Sequence, residues 1–279
     1  MKRIITRINE ELNSCYSAGE ISALTRIIAT ELLGIPQMTF FLKDDVTLTA
    51  EQQTLLDNAI ERLKKQEPIQ YILGYSDFCG LRFKVTPATL IPRPETSELV
   101  EWIASEGTGN ESILDIGTGS GCIAVSLAQK LPQSGVTAWD ISNEALAVAT
   151  ENSKANGCNV IFEHVDILAY QPTGEQFDII VSNPPYIKEN EKEAMHANVL
   201  DWEPHTALFV PDSDPLLFYR AIAEKGLFML TLGGKLYFEI NRAHGKETVE
   251  MLESLGYAGI ELRKDFADND RMIRAIKKQ

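Results

Sequence analysis

Residues 112–124 read SILDIGTGSGCIA, and this stretch decides the fold. Ile113 to Asp115 is a short apolar run ending in an acid, the pattern of a buried strand. Gly117, Gly119 and Gly121 follow at alternate positions, and an apolar helical run, Ile123–Lys130, begins behind them. A strand that turns through glycines into a helix brings a closely approachable backbone and free helix-terminal N–H groups to one place. Working outward, the same alternation repeats. Val136–Asp140, Val160–His164, Ile179–Ser182 and Lys235–Ile240 are short apolar runs that end in loops, and Asn143–Asn156 and Pro215–Leu232 have helical spacing. Strands alternating with helices imply an α/β fold: a parallel sheet with helices on both faces. Ligands bind such sheets beyond the carboxyl ends of the strands.

Upstream the pattern is helical to about residue 75. Ser17 and Glu20 have capping-box spacing ahead of Ile21, Leu24, Ile27, Ile28 and Leu32, and Gly34 with Pro36 stops the run. Thr49 and Gln52 repeat the signal before a helix to Lys65, and Pro68 opens a short piece ending at Gly74. From Phe78 to Val85 the alternation becomes strand-like around a Cys79-Gly80 turn. Pro87, Pro92 and Pro94 then keep the chain extended. Three segments are expected: a helical bundle at 1–75 that docks the substrate, a hairpin and proline-rich linker at 76–94, and the sheet domain at 95–279.

The net charge of −14 is uneven: residues 1–94 hold 11 basic and 11 acidic side chains, residues 95–279 hold 15 and 29. Nucleic-acid binding leaves a basic footprint, so DNA is not expected as a partner. The apolar residues of MKRIITRINEEL fall at helical spacing, without the continuous core of a secretory signal, and no run approaches a membrane span. Cys15, Cys79, Cys122 and Cys158 are far apart and form no CxxC pair, so no metal site is expected. A cytoplasmic monomer is the expectation.

The loop residues Asp115, Gly117, Thr118, Gly119, Ser120 and Gly121 are candidates for binding a nucleoside-type cofactor. Gly119, Gly121 and Ala124 also satisfy the dinucleotide fingerprint, so the loop leaves NAD and S-adenosylmethionine open. Asp140, at the end of the second strand, is placed to accept from ribose hydroxyls, which both cofactors carry. Asp166 follows the third strand and is a candidate for the adenine amino group, with Ile167 and Leu168 as ring walls; its bland reading is a turn cap.

Asn183-Pro184-Pro185-Tyr186 follows the fourth strand and decides the chemistry. An amide or exocyclic amine nitrogen is a poor nucleophile because its lone pair is delocalised. The Asn183 side-chain oxygen and the Pro184 carbonyl can accept its two N–H groups and aim the lone pair at a methyl donor, which Asn183 then also borders. They also stabilise the positive charge that develops on nitrogen. Pro184 and Pro185 donate no competing N–H, and Tyr186 offers a flat face to a planar group. A dinucleotide oxidoreductase has no use for this motif, so the cofactor reading becomes S-adenosylmethionine, with S-adenosylhomocysteine as product. The bland alternative is a proline turn after a strand.

The ordered set IPRPET (91–96), DIGTGSG (115–121), NPPYI (183–187), EPHTAL (203–208) and GGKLYFEI (233–240) resembles the peptide chain release factor N(5)-glutamine methyltransferases. The resemblance spans most of the chain. It implies a class I Rossmann-like methyltransferase fold with a mostly parallel seven-stranded sheet, its last strands at Gly259–Arg263 and Met272–Ile276. It also implies class-1 release factors as partners, methylated on the glutamine of their Gly-Gly-Gln motif. Two departures stand out: Asp214-Pro215-Leu216 where the family has Asp-Gly-Leu, and Glu239-Ile240-Asn241 where it has Glu-Ile-Gly. Both are expected to alter loop shape away from the transfer centre. NPPY is shared with adenine-N6 nucleic-acid methyltransferases, the alternative enzyme; a non-catalytic nucleotide-binding module is the alternative of another class. The long connection from Ile187 to Val210, with His196, Trp202, Glu203 and His205, is expected to be a lid or binding loop in which neither histidine acts as a base.

Overall fold

Side-chain caps open two of the N-terminal helices. The Ser17 hydroxyl accepts from the Glu20 N–H at 3.4 Å while the Glu20 carboxylate accepts from the Ser17 N–H at 2.8 Å, and Thr49 and Gln52 do the same at 3.1 and 3.0 Å. Each box satisfies donors that a helix start leaves bare. The computed structural model describes residues 1–278, so the last residue of the expected 95–279 segment lies outside the described residues. The chain divides into two units, one of them made of residues 1–74 with 196–202.

This first unit contains α1 (Lys2–Leu12), α2 (Ala18–Ile27), α3 (Gln37–Leu42), α4 (Ala50–Lys64) and α5 (Ile69–Leu73). Its core is the apolar stripe of α1 (Ile4, Ile8, Leu12) against Ile21, Ile28, Leu56, Ile60 and Leu63. Helix α2 runs on into a wider π-helical turn, Ile28–Leu32, before Gly34. Trp202 joins this unit, its indole N–H donating to the Lys65 carbonyl at 3.1 Å.

The second unit opens with the hairpin β1 (Tyr75–Phe78) and β2 (Leu81–Lys84). Cys79 and Gly80 both take left-handed backbone, as the tight turn requires, and β1 begins at Tyr75 because Gly74 has already ended α5. Then follow α6 (Pro94–Glu106), β3 (Ser112–Ile116), α7 (Cys122–Lys130), β4 (Gly135–Asp140), α8 (Asn143–Ala155), β5 (Val160–His164), β6 (Phe177–Ser182) and β7 (Ile187–Lys188). The chain continues through α9 (Ala197–Leu200), which groups with the first unit, to β8 (Phe209–Val210), α10 (Leu217–Met229), β9 (Leu230–Glu239), α11 (Gly245–Ser254), β10 (Ala258–Lys264) and β11 (Asp270–Ile276).

The sheet has seven strands in the order β10-β11-β9-β6-β3-β4-β5, and only β11 runs antiparallel to its neighbours. Successive residues of a strand face opposite sides, and both sides are buried. Ile113, Val181 and Tyr237 meet Leu99, Ile103 and Val125 on one face. Leu114, Ile116, Ile180 and Phe238 meet Tyr219, Ile222 and Leu252 on the other.

One expectation is corrected. The helix expected to reach Leu232 ends at Met229: Leu230 pairs with Phe177, and the chain bulges outward before Lys235 pairs with Ile179. The connection from Ile187 to Val210, expected to be a lid or binding loop, contains a parallel bridge between β7 and β8, short helical turns and α9.

Candidate active site

The carboxyl ends of β3, β4, β5 and β6 open onto one cavity of about 380 Å³. Gly117 and Gly119 line it from the first turn, Asp140 after β4, Asp166 to Leu168 after β5, and Asn183 to Pro185 after β6. Residues from Gly117 to Pro185 thus converge because a parallel sheet places every strand end on one edge.

Backbone bonds set the first turn. The Gly117 and Thr118 N–H groups donate to the Trp139 carbonyl at 2.8 and 3.0 Å. One Asp140 oxygen accepts from the Gly119 N–H at 2.8 Å and the other from the Ser142 N–H at 2.9 Å. Asp140 therefore braces the loop while facing the cavity. Burial pushes its pKa up and the backbone N–H groups oppose that.

The glycines divide the work. Gly119 has φ +56°, and a Cβ built on it would meet nothing within 4 Å. Gly121 has φ +80°, and a Cβ there would stand 3.1 Å from the Ala149 Cβ, so this glycine lets α7 close on α8. Gly121 does not line the cavity, and neither do Asp115, Thr118 and Ser120, which are all buried behind it. These four shape the turn behind the cavity. Asp115 accepts from the Thr118 hydroxyl at 2.6 Å, and complete burial pushes its pKa up to about 7.

Asp166 lines the cavity and also caps a turn, accepting from the Leu168 N–H at 2.9 Å. At the other end of the cavity, the Asn183 side-chain N–H donates to the Thr96 hydroxyl at 3.4 Å, and Thr96 donates to Glu239 at 2.6 Å. Tyr186 is not a cavity wall. Its ring is partly buried against the core, its hydroxyl reaches the other Glu239 oxygen at 3.5 Å, and burial raises its pKa.

Curated relatives match this chain end to end. The release factor glutamine methyltransferase of Bacteroides thetaiotaomicron is 49% identical over 276 residues, covering 99% of each chain. The chain belongs to the release factor glutamine methyltransferase family. The enzyme of that name from Flavobacterium psychrophilum is 46% identical, covering 98% of each chain. The family descriptions "PrmC N-terminal domain" and "Methyltransferase small domain" match residues 4–74 and 95–201. Among solved structures, a methyltransferase from Pyrococcus furiosus superposes with a TM-score of 0.54 at 18% identity, covering 83% of this chain and all of that one, which shows the shared fold.

Several cavity residues of this family member had no role in the sequence reading. Thr89 and Leu90, from the proline-rich linker, and Pro204, Thr206 and Phe209, from the EPHTAL segment and beyond, form one wall. A partly buried ion pair holds these two segments together: the Arg93 guanidinium donates to Glu203 at 2.6 Å, and the Ile91 N–H donates to its other oxygen at 3.3 Å. Burial raises the Glu203 pKa and Arg93 opposes it. Both segments were visible as motifs; their partnership was not.

The Glu239-Ile240-Asn241 departure is not remote from the NPPY turn, because the Asn241 side chain donates to the Tyr186 carbonyl at 3.2 Å. The Asp214-Pro215-Leu216 step carries an ion pair from Asp214 to Arg220 at 2.8 Å. His205 packs edge-on to Phe209 and His196 precedes α9; neither lines the cavity.

Proposed function

We propose that this enzyme methylates the side-chain amide nitrogen of the glutamine in the Gly-Gly-Gln motif of class-1 release factors, using S-adenosylmethionine. The observation that carries the reading is that one cavity joins the braced acid Asp140 to the Asn183-Pro184 acceptor pair. The residues fit the cofactor: open space beside Gly119, a carboxylate with lone pairs left at Asp140, and apolar Ile167 and Leu168 with Asp166 beside them. S-adenosylmethionine, when bound, supplies an electrophilic methyl group. Asp140 would hold ribose hydroxyls, and Gly117 and Gly119 would let the backbone come close.

Asn183 and the Pro184 carbonyl would accept the two N–H groups of the substrate amide and hold its nitrogen still. The same two oxygens stabilise the charge that grows on nitrogen, and the proton becomes acidic only after transfer, so no strong base is needed. Residues 1–74 are proposed to dock the protein substrate, in the cytoplasm and with the enzyme as a monomer. Met38, Phe41 and Leu42 of α3 leave large apolar side chains exposed, which supports a protein partner. No helix among the described residues is long and apolar enough to cross a membrane.

The test is mass spectrometry of a class-1 release factor incubated with the enzyme and S-adenosylmethionine. One added methyl on the Gly-Gly-Gln glutamine is expected. No methyl there, or transfer to adenine in nucleic acid instead, overturns the reading.

A further inference from the structure

We infer that Glu239 and Thr96 are positioning residues that set which way round the Asn183 amide stands. The inference rests on the proposed function and concerns the same site. Both groups are buried, with Glu239 at 2% exposure and Thr96 at 2%, and neither lines the cavity. They come from elements far apart in sequence: Thr96 from the first turn of α6, Glu239 from the end of β9, Asn183 from the end of β6.

The logic is one of donors and acceptors. A threonine hydroxyl has a single proton. The Glu239 Oε2 takes that proton at 2.6 Å, the shorter bond of the chain. The Thr96 oxygen is then left with lone pairs only, and whatever faces it must donate. Of the two ends of the Asn183 amide, only Nδ2 donates, and it lies 3.4 Å from the Thr96 Oγ1. With Nδ2 committed inward, Oδ1 is the end left for a substrate N–H.

A flipped amide would set Oδ1 against a hydroxyl oxygen with no proton to give, and would present an N–H donor to a substrate that itself needs an acceptor. Against the buried Thr96 hydroxyl such a mismatch is costly, because that group does not reach water. The other Glu239 oxygen meets the Tyr186 hydroxyl at 3.5 Å, so the same carboxylate buttresses both ends of the NPPY turn. Orientation by Asn183 is therefore determined by the buried groups behind it.

The experiment measures release-factor methylation by Thr96→Val, Thr96→Ser and Glu239→Leu enzymes, with the wild type assayed first. Thr96→Val keeps the shape and removes the hydroxyl. It is expected to lower kcat by about 10- to 100-fold, the scale of a misplaced reacting group, with S-adenosylhomocysteine affinity within about 2-fold. Thr96→Ser, which keeps the hydroxyl, is expected to restore most of the rate. Combining Thr96→Val with Glu239→Leu is expected to cost no more than the worse single change. A readout apart from turnover is hydrogen exchange of the Asn183 side-chain amide by NMR, expected to lose protection in Thr96→Val and retain it in Thr96→Ser. A Thr96→Val enzyme at the wild-type rate, additive losses in the double variant, or a Thr96→Ser enzyme as impaired as Thr96→Val each overturn the inference. A wild-type enzyme that leaves the glutamine unmodified instead overturns the proposed function.

Discussion

Replacing Gly121 by alanine separates folding from binding in the glycine loop. The residue has φ +80°, where an L side chain costs about 1–2 kcal/mol. The added Cβ would also stand 3.1 Å from the Ala149 Cβ and 3.3 Å from its Cα, and the latter is backbone of α8 that cannot swing away. Overpacking of that kind costs about 1–3 kcal/mol. The sum, about 2–5 kcal/mol, is a large part of the roughly 5–15 kcal/mol that holds a domain folded. Gly119→Ala carries only the backbone cost, since nothing lies within 4 Å of its Cβ position. Urea unfolding followed by tryptophan fluorescence reports on the affected unit through Trp139, which is 2% exposed and whose carbonyl anchors the loop. Gly121→Ala is expected to lower the midpoint by about 1 M or more, taking a slope of about 2–3 kcal/mol per molar urea. Gly119→Ala is expected to move it by less than half as much while weakening S-adenosylmethionine binding at least about 10-fold, because its methyl enters the space the ligand needs. Equal midpoint shifts in the two variants would refute the division of labour.

Three further outcomes follow from the same geometry. Asn183→Ala is expected to keep cofactor affinity by calorimetry and lose roughly 100- to 1,000-fold in single-turnover methylation, having lost an acceptor that acts on the reacting nitrogen; unchanged turnover sinks the mechanism. Asp115 has its folded pKa raised to about 7 from an ordinary 3.8, so the folded state binds more protons and stability falls as pH rises between about 4 and 7. Asp115→Asn is expected to flatten that part of the stability profile, by up to about 4 kcal/mol for a shift of this size, and an unaltered slope in thermal melts at pH 4 to 7.5 contradicts it. Finally, changing Phe41 and Leu42, which are 60% and 65% exposed, to serine is expected to raise KM for an intact release factor and leave KM for a short glutamine peptide unchanged; equal effects on both substrates remove α3 from the docking surface.

Sequence by itself determined the architecture and the loci of chemistry. Alternating apolar runs located the strands, capping boxes at Ser17 and Thr49 located two helix starts, and the glycine turn, Asp140 and Asn183-Pro184 all proved to lie on one cavity. These signals are local: a periodicity, a cap or a turn is written in neighbouring residues. Tertiary structure alone decided the rest. That Asp115 and Tyr186 stand behind the cavity, that Arg93 clasps Glu203 across 110 positions, and that Glu239 and Thr96 orient Asn183 are matters of pairing between distant segments. A buried carboxylate and a buried hydroxyl each carry no mark of their partner in the neighbouring residues. Which donor meets which acceptor is settled only when the sheet brings strand ends and helix starts together in a space without water, where every unmet group is costly.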